Sequence, residues 1–147
     1  MSAVIRCAIT DDVDNLKIFL ERAGLSAEGV KGTIDSFLIM EDEIGDIQAT
    51  IGIEQFGEVG LLRSLVMTSQ TMKNDVYILF EQIFLLATEK GMKEIFMATN
   101  KIGAVKLVEL LGFQQIKKSE LPPVLSRAGH VQHILTVDNS VFLKISL

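Results

Sequence analysis

A chain of 147 residues, 48% hydrophobic and 22% charged, is sized for one domain, 1–147, and is too apolar to be disordered. Fourteen Lys and Arg against nineteen Asp and Glu leave a net charge of -5, so nucleic acid is not an expected partner: sequence-independent binding needs clustered cations. One cysteine rules out an internal disulfide, and the longest apolar stretch, Val76 to Ala87, falls short of the roughly 20 residues a membrane span takes.

With no signal segment at the start, a soluble protein of the cytoplasm is expected. No repeat or linker divides the chain. Val4 to Ile9 reads as a short strand, and Thr10-Asp11-Asp12 offers capping oxygens to a helix over Val13 to Ala23. Its apolar residues Val13, Leu16, Phe19, Leu20 and Ala23 recur at helical spacing, and Gly24 ends it. Ser26 to Lys31 offers a further helical turn, and Ile34 to Glu41 reads as a central strand. After a turn at Glu43-Ile44-Gly45-Asp46, Ile47, Ala49, Ile51 and Ile53 alternate with Gln48, Thr50, Gly52 and Glu54, the period of a half-buried strand. Gly57-Glu58 connects it to a strand over Val59 to Met67, completing an antiparallel meander.

The second half changes rhythm. Asp75 to Lys90 predicts a helix apolar on most of its surface, with Leu79, Ile83, Leu86, Phe80 and Phe84 as core. Gly91 ends it, and Lys93 to Ala98 is a strand, so strand, helix and strand call for a parallel crossover. Ile102 to Leu111 is a helix closed by Gly112, and Phe113 to Lys118 is a strand. Pro122-Pro123 begins an irregular or helical excursion, and Val141 to Leu147 is the last strand. The class is α/β with a mixed sheet, antiparallel at first and parallel at the crossover, with flanking helices.

Several residues admit two readings. Arg63, on an apolar strand, either pairs with Glu54 or Glu58 across the hairpin or presents its planar guanidinium to a substrate carboxylate. Glu54 is either a solvated strand carboxylate or a general base, acting directly or through water. Cys7 reads as a small buried hydrophobe. His130 and His133 have no further ligands to complete a metal site.

The order of these elements resembles the GNAT superfamily of acetyl-CoA-dependent N-acetyltransferases over nearly all of the chain. The likeness rests on Leu62-Arg63-Ser64-Leu65-Val66-Met67, on Ala87 to Thr99 with Gly91 and Ile95, and on Leu107 to Phe113 with its Leu111-Gly112-Phe113 ending. The tail, from Leu121-Pro122-Pro123 through Val141-Phe142-Leu143-Lys144, is similar to small members linked to arsenic resistance and to the acetyltransferase domain of N-acetylglutamate synthases.

The resemblance implies that the fourth and fifth strands splay apart after a bulge and that the pantetheine arm of the co-substrate acetyl-CoA lies in the gap. Leu65, Val66 and Met67 would pair with that arm through their backbone and polarise the thioester carbonyl. Met72, Lys73, Asn74, Asp75, Val76 and Tyr77 fall at the phosphate loop, which in such proteins reads R-G-x-G-x-G/A. Here that motif is degenerate: no glycine occurs between Gly60 and Gly91, and Met72 replaces the arginine. Asn100 would cap the next helix, touch CoA or an acyl group, or do both. A tyrosine that often protonates the leaving thiolate would fall near Val108. The implied function is acetyl transfer to a small-molecule primary amine, without a metal and with a homodimer as one assembly. A fold that keeps the shape but has lost the chemistry, and binds a ligand or a protein instead, is the alternative.

Overall fold

Apolar alternation and glycine punctuation build a seven-stranded mixed sheet in the computed structural model, which describes residues 4–68, 73–99, 102–126 and 140–147. The strands are β1 (Val4–Cys7), β2 (Phe37–Glu41), β3 (Ile47–Phe56), β4 (Val59–Met67), β5 (Glu94–Thr99), β6 (Gln114–Ile116) and β7 (Val141–Ser146), hydrogen-bonded in the order β1-β2-β3-β4-β5-β7-β6. The helices are α1 (Val13–Arg22), α2 (Lys73–Glu89), α3 (Ile102–Leu110) and α4 (Pro123–Ser126). The expected α/β class with a mixed sheet and flanking helices is found. By contacts the chain divides into two compact units, Met1–Glu54 with Arg63–Ala87, and Gln55–Leu62 with Thr88–Leu147.

In the first unit, β1 and β3 each run antiparallel to β2, with Arg6 opposite Ile39 and Phe37 opposite Gly52. Leu16 and Leu20 of α1 pack on Phe37 and Ile39 of β2, with Ile34, Ile47 and Val66 around them. Ile34 reaches this core from a 3-10 turn, Lys31–Ser36, so the strand expected from Ile34 starts only at Phe37. Of Ser26 to Lys31, residues 28–30 form a turn and Lys31 opens the 3-10 segment, in place of a turn of α-helix. Cys7 is exposed, not buried: β1 is an edge strand of four residues, and its last residue has no cover.

The period-two reading of β3 holds for register but not for burial. Ala49 through Ile53 are all buried, so both faces are covered at its centre. Thr50 is fully buried, and its hydroxyl donates to the Leu38 carbonyl at 2.8 Å. At Gly52 a Cβ would stand 2.7 Å from the Phe37 ring, so the aromatic occupies the space a side chain would take. Helix α2 departs from expectation in the opposite sense. Val76, Leu79, Phe80, Ile83 and Ala87 form one buried stripe, Phe84 and Leu86 are half-buried, and Ile78 and Leu85 are exposed. It is one-sided, as an amphipathic helix is.

In the second unit, β4 and β5 are parallel neighbours, and β5 and β6 both run antiparallel to β7. Leu61, Phe96, Leu125 and Phe142 form the core there. Gln55 ties the hairpin down by donating to the carbonyls of Gly57 and Lys90, each at 2.9 Å. Gly24, Gly91 and Gly112, the expected helix stops, have φ of 78°, 85° and 111°, where a residue without Cβ carries no strain. The final strand β7 lies between β5 and β6, and β6 pairs with Phe142–Lys144 of it.

Candidate functional site

The site begins with a defect in β4. Counting from the two-residue turn at Gly57-Glu58, Gln48 should face Met67. Instead the Thr68 N–H donates to the Gln48 carbonyl at 3.0 Å, so β4 holds one residue more than β3 over the same span. Ser64 takes up that extra residue. Its φ of 56° makes it the non-glycine residue with left-handed backbone among the described residues. This is a β-bulge, which re-aims the strand and interrupts its pairing. On the side of β5 the parallel ladder has three pairs, Val59 with Glu94, Gly60 with Ile95 and Leu61 with Phe96, although β4 continues to Met67 and β5 to Thr99.

Arg63 immediately precedes the bulge. Its guanidinium Nη1 lies 3.6 Å from Glu54 Oε1, a contact of charges without hydrogen-bond geometry. Arg63 Nε is buried and has no partner, the one such side-chain atom found among the described residues. Burying an N–H donor unsatisfied is unfavourable, so the group is poised for an acceptor the protein does not supply. Of the two expected hairpin carboxylates, Glu54 is the neighbour. Glu58 pairs with Lys93 at 2.8 Å and holds that ammonium's pKa up, first by its hydrogen bond and then by its charge.

The remaining expected positions scatter. Leu65 and Val66 are half-buried on β4, and Met67, at its end, is exposed. Helix α2 starts at Lys73, two residues ahead of the expected Asp75, so Asn74 and Asp75 lie in its first turn. Asn74 is exposed, Asp75 and Tyr77 are half-buried, and Val76 belongs to the core. Met72, Asn100, His130 and His133 lie outside the described residues, as does the side chain of Lys73. Val108 is fully buried, a core aliphatic near the position at which the resemblance places the tyrosine of other proteins. No group of three His, Cys, Asp or Glu among the described residues could hold a metal ion, and no helix among them is long and apolar enough to cross a membrane.

Two features escaped sequence reasoning. One is a clamp at the start of α1. Arg6 donates to both Asp12 oxygens at 2.7 and 2.8 Å and to Glu41 at 3.0 and 3.2 Å, while Asp12 accepts the Ile9 N–H at 2.7 Å. The hydrogen bonds from Arg6 hold the Asp12 carboxyl below its usual range, and Asp12 and Glu41 raise the guanidinium in turn. Residues 6 and 41 meet through the β1–β2 register, which local periodicity does not encode. The other is a cleft of about 670 Å3 between α1 and the ends of β3 and β4, lined by Asn15, Phe19, Arg22, Asp46, Val66 and Met67 among others.

No protein-family model matches the chain. An uncharacterized protein of Bacillus subtilis (strain 168), YwlB, is 28% identical over 141 residues, covering 95% of each chain. Among solved structures, the N-acetylglutamate synthase of Neisseria gonorrhoeae complexed with coenzyme A and N-acetyl-glutamate matches 100% of this chain at a TM-score of 0.78 and 22% identity. This chain spans 35% of that one. Rv2747 of Mycobacterium tuberculosis, in complex with CoA and NLQ, matches at 0.79 and 15% identity over 98% of this chain and 99% of its own. A GNAT-family acetyltransferase from Staphylococcus aureus Mu50 matches at 0.76 and 16% over 99% of both. Likeness at such low identity concerns backbone: the chain has the GNAT fold.

Proposed function

We propose that this protein is an acetyl-CoA-dependent N-acetyltransferase of the cytoplasm, needing no metal, that acetylates a small-molecule amine carrying a carboxylate. The observation that supports it most is the bulge at Ser64, beside which the ladder to β5 stops after three pairs. A strand interrupted there has backbone groups to offer a ligand, as the edge of a sheet does. Two structures of the same fold were solved with coenzyme A, one of them with N-acetyl-glutamate as well.

On this reading each residue has one task. The backbone of Leu65, Val66 and Met67 pairs with the pantetheine arm, and its N–H groups stabilise the charge that develops on the thioester oxygen. Arg63, with its unsatisfied Nε, takes the acceptor's carboxylate. Glu54, 3.6 Å from that guanidinium, accepts the proton the amine must lose. The nitrogen then bonds to the carbonyl carbon, the carbon–sulfur bond breaks, and the sulfur leaves and is protonated. Holding both reactants in one complex makes the attack effectively unimolecular. Met72, Lys73, Asn74, Asp75, Val76, the backbone around Tyr77 and Asn100 serve the nucleotide end of the co-substrate. Asp75 opposes the phosphates there, and the amides of a helix start favour them.

The test is release of free CoA from acetyl-CoA, read with a thiol reagent, in the presence of amino acids and amines. Exposed Cys7 adds a constant background of one thiol per chain. The reading predicts release that depends on the amine and falls with Glu54→Gln and Arg63→Gln; no release above the uncatalysed rate contradicts it. The glycine-free segment between Gly60 and Gly91 favours a second reading, a module that binds a ligand without chemistry. Tight binding of an amine without CoA release would select it.

A further inference from the structure

The cleft beside α1 lies wholly within the first unit, and neither Arg63 nor Glu54 lines it. One wall is the face of α1 that bears Asn15, Ile18, Phe19 and Arg22, spaced as successive turns of one helical stripe. The opposing surface comes from the β2–β3 turn with Asp46 and from the end of β4 with Met67. Its floor is fixed. The Gln48 carboxamide donates to Asp42 at 3.0 Å and accepts the Thr68 hydroxyl at 3.0 Å, so the cleft is formed before anything enters it. The cleft, lined by polar and apolar groups alike, lies in the size range of small-molecule sites.

Its chemistry narrows the ligand. Ile18 and Met67, 48% and 41% exposed, leave apolar surface uncovered at this cleft. Among the described residues Asn15, Arg22 and Asp46 have no side-chain partner. Arg22 and Asp46 do not pair with each other, so their charged ends are more than 4.0 Å apart. A zwitterion whose charged ends stand apart on an apolar body satisfies both and also covers the apolar surface of Ile18 and Met67. In a free amino acid the two charges share one carbon; in a dipeptide a peptide unit separates them.

We propose that this cleft binds a short zwitterionic peptide with apolar side chains, its carboxylate on Arg22 and Asn15 and its ammonium on Asp46. The claim does not rest on acetyl transfer. Calorimetry on the full chain, without acetyl-CoA, tests it with L-leucyl-L-leucine, leucyl-leucinamide and N-acetyl-leucyl-leucine. The dipeptide saturates with a dissociation constant below about 1 mM. Blocking either end weakens binding at least about fivefold, as expected when a charge pair is lost. Arg22→Gln weakens the dipeptide but leaves leucyl-leucinamide unchanged, and Asp46→Asn does the converse with the N-acetyl form. Both substitutions are on the surface, and thermal unfolding of each variant confirms that the fold persists. Absence of saturation, or binding indifferent to the blocked ends or to both substitutions, overturns the proposal. CoA titrated into the same variants binds as in the parent, so failure here is distinct from failure of the transferase reading.

Discussion

Gly52 and Phe37 are one packing unit. With the ring 2.7 Å from where a Cβ would stand and the phenyl buried, Gly52→Ala forces the ring aside. Overpacking of this kind costs about 1–3 kcal/mol, to be read as a lower denaturant midpoint at unchanged slope. Nothing in the alternation around Gly52 announces this. A small or polar residue on every second position looks the same whether water or a distant aromatic covers it, and Thr50 is hidden for the same reason. Arg63 is the opposite case. Its apolar neighbours in sequence marked it as a cation needing a partner, and the structure leaves its Nε without one. Because its ion pair is long and partly exposed, Arg63→Gln should cost under about 1 kcal/mol of stability. If it binds substrate, the same change raises KM for a carboxylate-bearing amine about tenfold or more, equivalent to about 1.4 kcal/mol. A large loss of stability instead would make it a structural residue.

The clamp on Asp12 and the bulge in β4 act on whole elements. Asp12 is held below its usual pKa by Arg6, so its contribution is complete above the unfolded carboxylate value of about 4. It is lost as pH falls through the lower folded value. Asp12→Asn is therefore expected to destabilise α1 and β1 at neutral pH by about 1–3 kcal/mol. The gap to the parent should narrow as pH falls below that unfolded value, measured as paired urea titrations; a gap that does not narrow means the carboxylate's charge is not its source. In β4, Ser64 holds a left-handed backbone that a β-branched residue resists. Ser64→Val should cost about 1–3 kcal/mol, whereas Ser64→Gly keeps the bulge and, with it, the proposed binding of acetyl-CoA. Periodicity located β4 to the residue, Val59–Met67, because the glycine turn at Gly57-Glu58 precedes it and a polar run from Thr68 follows it. It missed the extra residue, which changes no composition and no local pattern. The start of α2 differs from the expectation by two residues: Asn74 and Asp75, both ordinary N-cap residues, sit inside the first turn, and Lys73 ahead of them carries no capping signature.

For the molecule as a whole, the order of strands and helices was legible and the chemistry was not. A parallel crossover and an antiparallel meander follow from spacing and loop length, since only a long connection can return a chain to a parallel neighbour. The proposed activity depends on what meets an interrupted strand and on a loop that lacks the glycines its resemblance calls for. The central claim is that β4 and the start of α2 still hold a nucleotide thiol. Isothermal titration with acetyl-CoA addresses it directly, using the parent chain and Asp75→Asn. The account predicts saturable heat with a dissociation constant below about 1 mM, and tighter binding with Asp75→Asn, as the proposed place of that carboxylate near the phosphates requires. No heat from either protein at any concentration would contradict it.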